Sequence, residues 1–200
     1  PKGCKLLLGS QYALLKPEFA KWRAYSLERR RKPEFKQLLI NMGGADIDNV
    51  TESVLDELKA CNLPNDIDIT VVMGASAPHL GSVKSKANTL PHKAEVMVNV
   101  DNMAEIMANA DIAIGAAGST TWERCCLGLP TIQVVIAENQ NTIAKSLARN
   151  NAIKLLQDIK ELSRMISDVT SWMTSVSDIA RQISDGSGVM RVVNVIIGRK

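Results

Sequence analysis

The sequence has 200 residues, of which 46% are hydrophobic, and its 24 basic and 21 acidic residues give a net charge of +3 at pH 7. This length fits one globular domain with an appendage, the small charge argues against a nucleic-acid partner, and the lack of a long apolar run argues against a membrane span. The four cysteines form no C-x-x-C pair, so we expect reduced core thiols in a cytoplasmic protein, and no residue pattern predicts a metal site.

The first 35 residues are predicted to be an interdomain segment with a connecting helix, and residues 36–200 are predicted to form the domain that carries function. The chain begins with Pro1 rather than methionine and runs at once into the apolar residues 6–8. We interpret this run as the end of a strand in a fragment of a longer chain. Four consecutive cations at 29–32 are interpreted as the solvated end of a helix, with a patch that binds phosphate or nucleic acid as the alternative.

Six short apolar runs along the chain are predicted to be strands, because continuous rather than alternating apolarity is typical of strands buried on both faces. They alternate with predicted helices over short connections, which predicts a Rossmann-like, doubly wound parallel α/β sheet. In such a sheet the loops after the strands share one edge, where ligands bind. The predicted strands are residues 37–42, 67–73, 95–100, 112–114, 131–136 and 154–156.

Helices are predicted over about 48–61 and 78–86. Three more are predicted: one ends near Asn109, one begins after residue 119 and one ends near Arg149. The helix over 48–61 has apolar residues on one face. The tail has apolar residues at alternating steps of three and four between Leu162 and Ile183, which predicts a single apolar helix face. We expect a break in the tail near residues 174–175 and a last short helix over 189–197.

Residues 115–130 are the most informative stretch of the chain. A glycine-bearing turn and the hydroxyls of Ser119 and Thr120 precede helix-compatible residues. The unpaired N–H groups of a helix start, the positive end of its dipole and the hydroxyls together favour an anion, above all a phosphate. Glu123 lies about one turn into the helix, where a carboxylate can accept hydrogen bonds from a ribose diol. Spacing alone favours the alternative that these residues only cap the helix.

Three strings of residues in this region resemble a known family. They are Gly-Ser-Thr-Thr-Trp-Glu-Arg at 118–124, Leu-Gly-Leu-Pro at 127–130 and Glu-Asn-Gln at 138–140. The sequence resembles the family that hydrolyses UDP-2,4-diacetamido-2,4,6-trideoxy-β-L-altropyranose in pseudaminic acid biosynthesis. It is similar, more distantly, to the peptidoglycan UDP-GlcNAc transferase, which shares the two-domain GT-B architecture. The resemblance runs from residue 12 to residue 191 and matches the C-terminal, nucleotide-binding half of these enzymes.

The resemblance implies a site for a UDP-sugar at the edge formed by the loops after the strands. Loop glycines and the hydroxyl cluster would stabilise the diphosphate at two helix N-termini, and Glu123 would hold the ribose. Backbone groups near Val100 would support the uracil, while two amide side chains would position the sugar and the attacking water. The implied site residues are Gly43, Gly44, Val100, Gly118, Ser119, Thr120, Glu123, Asn139 and Gln140.

Several of these residues have a structural alternative that the sequence leaves open. The glycines at 43 and 44 can serve a tight turn for backbone reasons alone. Asn139 can cap the helix that follows it. Near the implied uracil site, Asn99 and Asp101 are weaker candidates, and we expect Asp101 to be the N-cap of the helix that ends near Asn109.

The function implied by the resemblance is the UDP-binding half of a nucleotide-sugar hydrolase that releases UDP and a free diacetamido-trideoxy sugar, with no cofactor. The resemblance also implies that the catalytic histidine comes from an N-terminal domain that is missing from this sequence. In the sequence itself, neither His79 nor His92 lies near an acid/base partner. The fragment alone would then be inactive. The alternatives are a UDP-sugar-dependent GT-B glycosyltransferase and a non-catalytic module that binds nucleotide-sugars.

Overall fold

The computed structural model describes residues 4–198 and has six strands, which are β1 (Gln37–Asn41), β2 (Asp68–Met73), β3 (Lys93–Val98), β4 (Ile112–Ala116), β5 (Thr131–Val134) and β6 (Lys154–Leu156). They form one sheet in the order β3-β2-β1-β4-β5-β6, and every neighbouring pair is parallel. The strand order reverses direction between β1 and β4, as in a doubly wound sheet. The predicted Rossmann-like α/β class is therefore confirmed.

Nine α-helices accompany these strands within the described range. They are α1 (Pro17–Arg29), α2 (Val50–Ala60), α3 (Leu80–Ala87), α4 (Met103–Asn109), α5 (Thr120–Cys126), α6 (Asn141–Arg149), α7 (Leu162–Ser167), α8 (Val169–Ile183) and α9 (Gly188–Ile196). Short 3-10 turns occur at Ser10–Tyr12, Glu138–Gln140 and Ile159–Glu161.

The two faces of the sheet bury separate sets of side chains. On β1, Leu38 and Ile40 face a core that is shared with α2, α3, α7 and α8, while Leu39 between them faces α1, α4 and α5. All three leucine and isoleucine side chains are at most 1% exposed. Burial of such a side chain contributes about 1.5–3 kcal/mol, so helices on both faces are needed to cover the apolar runs.

Helix α1 is fastened to the second of these faces. Phe19 is 1% exposed and packs in the same cluster as Met107 of α4 and Cys126 of α5. The hydroxyl of Ser26 donates a hydrogen bond of 2.7 Å to the carbonyl oxygen of Leu127. The helix end predicted before Pro33 is confirmed, since α1 ends at Arg29. The expectation that its cations are solvated is met only in part, because Arg31 and Lys32 are exposed while Arg30 is largely buried. The division of the chain at residue 35 stays a prediction.

The expected strand end at residues 6–8 is wrong. Residues 4–8 have no regular structure, and the side chains of Leu6 and Leu8 are each 72% exposed. A short apolar run forms a strand only where a sheet edge accepts its backbone hydrogen bonds, and β3 and β6 are the edge strands here. The part of this prediction that concerns Pro1, the first residue of the sequence, lies outside the described residues.

The break in the helical tail lies at Asp168, between α7 and α8, and not near residues 174–175 as predicted. Asp168 has φ −93° and ψ 8°, which ends the first helix. Helix α8 continues through Ser175, whose hydroxyl donates a hydrogen bond of 2.9 Å to the carbonyl oxygen of Trp172. A serine that bonds back to its own helix in this way is tolerated within it.

Asp101 is not the N-cap of α4, contrary to the sequence-based expectation. The cap position is Asn102, whose amide nitrogen donates a hydrogen bond of 2.9 Å to the Glu105 carboxylate in the first turn. Asp101 lies one residue further out and is exposed. Spacing in the sequence could not separate two adjacent residues that both favour helix starts.

No helix among the described residues is long and apolar enough to cross a membrane. In the same part of the chain, no group of three or more histidine, cysteine or acidic side chains is arranged to hold a metal ion. All four cysteines are free thiols, and Cys61, Cys125 and Cys126 are buried.

Candidate functional site

Two adjoining clefts lie at the carboxyl ends of the strands. The first has a volume of about 340 Å³ and is bounded by the loops after β1, β4 and β5. The second has a volume of about 240 Å³ and is bounded by the loops after β1, β2 and β3. Gly43, Gly44 and Thr120 line both clefts, and Gly118 lines the first. The prediction that these loops share one edge of the sheet is therefore confirmed.

The loop between β4 and α5 presents three backbone donors to this edge. None of the described residues accepts a hydrogen bond from the N–H groups of Gly118, Ser119 or Thr120. Ser119 precedes α5 but has helical dihedral angles (φ −59°, ψ −31°), and its side chain makes no capping hydrogen bond. A capping side chain needs an extended backbone at this position, so Ser119 does not cap the helix.

Glu123 does not complete a capping box either. Its carboxylate makes no hydrogen bond with any described residue, although the side chain is half-buried. Burial raises the pKa of the Glu123 carboxyl above its usual range, and the nearby cations Arg124 and Lys16 offset part of this rise. A desolvated carboxylate without donors is a costly arrangement unless a ligand supplies them.

Arg124 lies beneath the same loop and is 2% exposed. Its Nη2 donates a hydrogen bond of 2.7 Å to the carbonyl oxygen of Ala116, and its Nη1 donates one of 3.1 Å to the Thr120 hydroxyl. Burial lowers the pKa of the Arg124 guanidinium to about 10. A Cβ at Gly115 would lie 2.6 Å from Nη1, so this position in β4 needs glycine to leave room for the guanidinium.

Sequence reasoning missed Arg124 as a site residue. Position 124 lies on the same helix face as the buried Thr121 and Cys125, and the α5 pattern could have indicated that an arginine there faces the core. Charged residues are almost never fully buried, so a solvated side chain is the usual expectation for an arginine at this position.

The loop after β1 provides a second set of donors, but not at a helix N-terminus. The N–H groups of Gly43 and Gly44 have no acceptor among the described residues. Helix α2 begins only at Val50, and the Asp46 carboxylate accepts hydrogen bonds of 3.0 and 2.9 Å from the N–H groups of Val50 and Thr51. The expected helix start at Gly43–Gly44 is wrong, because that helix is capped by the chain itself.

Val100 lines the second cleft, together with the apolar side chains of Val72, Met73 and Met103. Asn99 also lines it and has φ 50°, and its side-chain oxygen accepts a hydrogen bond of 2.9 Å from the N–H of Ala75. Asn99 therefore fastens the loop after β3 to the loop after β2. The apolar side chains that line this cleft suit an aromatic base.

The two amides after β5 are not equivalent. Gln140 lines the first cleft, and its Oε1 accepts a hydrogen bond of 3.1 Å from the N–H of Ile136. Asn139 is exposed, does not line either cleft and makes no side-chain hydrogen bond with the described residues. The structure brings Gln140 to the site and leaves Asn139 at its rim.

Neither histidine lines a cleft. The Nε2 atom of His79 lies 3.1 Å from the carbonyl oxygen of Ile47, so this ring supports the wall of the first cleft from behind. His92 precedes β3 at the opposite edge of the sheet. The described part of the cleft therefore contains donors for an anion but no histidine that could act as a general base.

Comparison with known proteins gives a family. Residues 38–187 match the model of the glycosyltransferase family 28 C-terminal domain. The chain is 34% identical over 134 residues to the uncharacterized protein MJ1062 of Methanocaldococcus jannaschii, which covers 66% of this chain and 27% of that protein.

Two further relatives have more informative names. The chain is 28% identical over 198 residues to the spore coat polysaccharide biosynthesis protein SpsG of Bacillus subtilis, covering 94% of this chain and 57% of SpsG. It is 25% identical over 185 residues to a Helicobacter pylori UDP-N-acetylglucosamine–N-acetylmuramyl-(pentapeptide) pyrophosphoryl-undecaprenol N-acetylglucosamine transferase, covering 84% of this chain and 52% of that enzyme. The chain thus spans less than two thirds of each relative.

Among solved structures, the crystal structure of Acinetobacter baumannii MurG superposes with a TM-score of 0.76 at 20% sequence identity. The match covers 99% of this chain and 57% of MurG. At this identity the similarity shows the fold, which is that of the C-terminal domain of a GT-B protein.

Proposed function

This chain belongs to the glycosyltransferase family 28 C-terminal domain family, and we propose that it is the UDP-sugar-binding half of a two-domain GT-B enzyme. The observation that carries this proposal is the pair of adjoining clefts that meet at Gly43, Gly44 and Thr120. The volume of the first cleft lies at the lower end of the range that small-molecule sites occupy, and that of the second lies just below it. Two loops whose N–H groups have no acceptor in the described chain line this place, which suits an anionic ligand.

In the proposed complex the diphosphate lies where the two clefts meet, between the N–H groups of Gly43–Gly44 and those of Gly118–Thr120. The uracil occupies the second cleft beside Val100, and the sugar occupies the first cleft beside Gln140. Glu123 lines neither cleft, but it lies one turn beyond Thr120, and there it would accept hydrogen bonds from ribose hydroxyls at the rim of the site. This role would satisfy a carboxylate that has no donor within the described chain.

The chemistry that this half supports is departure of UDP from the sugar. As the bond between the sugar C1 and the diphosphate oxygen breaks, negative charge grows on the diphosphate. Donors that the fold already aims at that position stabilise the charge without reorganisation. As the resemblance implies, the group that activates the attacking oxygen would come from the part of the protein outside this sequence. Neither histidine lines the cleft, which is consistent with that assignment.

The first candidate for the full reaction is glycosyl transfer, in which an acceptor hydroxyl attacks C1. The family description and the transferase relative support it. Hydrolysis of a UDP-sugar is the second candidate, supported by the Gly-Ser-Thr-Thr-Trp-Glu-Arg string at 118–124. In either case the relative SpsG supports a role in polysaccharide biosynthesis. The four free thiols support a reducing, cytoplasmic location.

Calorimetric titration of the 200-residue chain tests the binding proposal. We expect UDP to bind more tightly than CMP, since the clefts would hold a second phosphate and a uracil. We expect no release of sugar from UDP-GlcNAc by this chain. Equal affinity for UDP and CMP would contradict the assignment of the second cleft, and turnover would show that the base lies within these residues.

A second experiment separates the two reactions and uses the full-length protein. Incubation with a UDP-sugar in buffer without any acceptor is followed for UDP and for free reducing sugar. Equal release of both products would support hydrolysis, in which water supplies the new oxygen on C1. Release of UDP only after an acceptor is added would support transfer.

A further inference from the structure

Arg124 is a buried cation without an acidic partner. None of the ion pairs among the described residues includes it, and its Nε atom has no hydrogen-bond partner there. Its contacts are the carbonyl oxygen of Ala116 and the hydroxyls of Thr120 and Thr121. Buried charges are normally paired, because removing them from water costs several kcal/mol. The missing counter-charge therefore needs an explanation.

Two threonine hydroxyls accept hydrogen bonds from this guanidinium, and they differ in where their own proton goes. The Thr121 hydroxyl lies 3.4 Å from the Oε1 atom of the buried Gln133, which accepts its proton. The Thr120 hydroxyl has no acceptor among the described residues. Since Thr120 lines both clefts, this proton is available to a ligand at the place where they meet.

We propose that Arg124 is a positioning residue that turns the Thr120 hydroxyl into a hydrogen-bond donor for a bound diphosphate and supplies the buried positive charge that this anion neutralises. The inference rests on the proposed function for the identity of the anion. The proposed role of Arg124 and Thr120 itself requires only a phosphate group within hydrogen-bond distance of the Thr120 hydroxyl. Arg124 reaches the ligand through the Thr120 hydroxyl and does not touch it.

The attraction between this cation and a bound anion should be strong because the guanidinium is buried in the protein interior. Coulombic attraction over a few ångströms is several times larger in a protein interior than in bulk water. Burial has the largest influence on the pKa of Arg124, and the neighbouring Cys125 and Glu123 offset part of it without forming an ion pair with the guanidinium. The described chain thus offsets the charge of Arg124 only in part, and a bound diphosphate would reduce the remaining penalty.

Arg30 provides a matched control. It is also largely buried, has one guanidinium nitrogen without a partner, and has its pKa lowered by burial to about 9. It donates to the carbonyl oxygens of Gly128 and Ala110, which precede β5 and β4 at the opposite edge of the sheet. Substitution of Arg30 therefore removes a largely buried arginine at a place that does not line either cleft.

The test compares the affinities of Arg124→Met, Arg30→Met and the parent chain for UDP and for uridine, which lacks the phosphates. We expect Arg124→Met to weaken UDP binding by roughly 10- to 100-fold, the range for a hydrogen bond that involves a charged group. Uridine affinity should change by no more than about twofold. Arg30→Met should lower thermal stability and leave the ratio of UDP to uridine affinity unchanged. Equal losses for both ligands in Arg124→Met would overturn the proposal.

Thr120→Val tests the route through the hydroxyl. Once Arg124→Met is in place, adding Thr120→Val should cost little further UDP affinity, because the two residues act as one unit. Additive losses would contradict this. If Arg124→Met fails to fold, Arg124→Lys keeps the charge but loses the fork to Thr120 and Ala116. It should then keep part of the preference for UDP, and a lost preference with intact folding would refute the charge role.

Inorganic pyrophosphate separates this inference from the proposed function. If the parent chain binds pyrophosphate but neither UDP nor uridine, the nucleotide assignment fails while the role of Arg124 can still be measured on pyrophosphate. Pyrophosphate affinity that is equal in the parent and in Arg124→Met would refute the inference alone.

Discussion

The carbonyl oxygen of Gly44 accepts a hydrogen bond of 3.0 Å from the N–H of Gly74, which fastens the loop after β1 to the loop after β2. A Cβ at position 74 would lie only 2.3 Å from that oxygen. The obstacle is backbone, which cannot swing aside as the end of a side chain can. With the bond from Ala75 to Asn99, three of the loops that line the clefts form one connected unit.

Gly74→Ala is expected to push these loops apart. Overpacking of this kind costs about 1–3 kcal/mol of folding free energy. Because Gly44 lines both clefts, UDP affinity should fall as well. Denaturant unfolding measures the first effect and calorimetric titration the second.

Gly81→Ala is the control for this prediction. Gly81 lies within α3, and a Cβ there would meet no heavy atom within 4 Å. Alanine in a helix interior is favoured over glycine by up to about 1 kcal/mol, so this variant should be slightly more stable and bind UDP as the parent does. If Gly74→Ala behaves in the same way, the contact between the loops does not constrain the site.

The sheet could be predicted from the sequence because buried parallel strands leave continuous apolar runs. The run that forms β4 shows the limit of that signal. Apolarity suggested an end at Ile114, but the strand continues to Ala116, with Gly115 paired to Gln133 on β5 and to Asn41 on β1. A strand is extended by its neighbours, and a single sequence does not reveal how far their pairing runs.

The site could be predicted from the sequence only where a residue type has few structural roles. Glycines and hydroxyls after strands indicated the edge, and the structure places them there. It could not be foreseen that Asp46 caps α2, since this depends on a backbone turn with φ 44°. The burial of Arg124 could not be foreseen either. It depends on the absence of a side chain at Gly115, which lies in β4 rather than in the helix that carries Arg124.

Glu123→Gln is expected to separate stability from function. The pKa of Glu123 is raised in the folded chain by burial, so its charged form destabilises the fold. The stability linked to its protonation is complete below the unfolded pKa and is lost as the pH rises through the folded value. At neutral pH, Glu123→Gln should therefore raise the melting temperature, and the difference should vanish in acid.

The same variant should bind UDP more weakly. A carboxylate that accepts hydrogen bonds from the ribose would be worth about 1.5–3 kcal/mol, and the neutral amide accepts less strongly. Glu138→Gln makes the same change at an exposed position near this edge and should alter neither quantity. A variant at 123 that loses stability but keeps its UDP affinity would mean that Glu123 serves the fold alone.

Gln140 and Asn139 offer the sharpest comparison, because adjacent amides differ in their access to the site. The Oε1 atom of Gln140 is held by the N–H of Ile136, so only its Nε2 is left to serve a ligand. That nitrogen lies 4.0 Å from where a Cβ on Gly118 would be. Gln140 therefore adds a donor beside the loop that we assign to the diphosphate.

Gln140→Glu keeps the shape and the acceptor for Ile136 but replaces the donor with a negative charge. We expect it to weaken UDP-GlcNAc binding by roughly tenfold or more, since like charges repel at close range. Asn139→Asp makes the same charge change at the exposed rim and should have a small effect that 0.15 M salt largely screens. Equal losses would point to net charge alone. A larger loss at Asn139 would instead put the sugar beside that residue, as the resemblance implies, and would require the loop after β5 to close over the ligand.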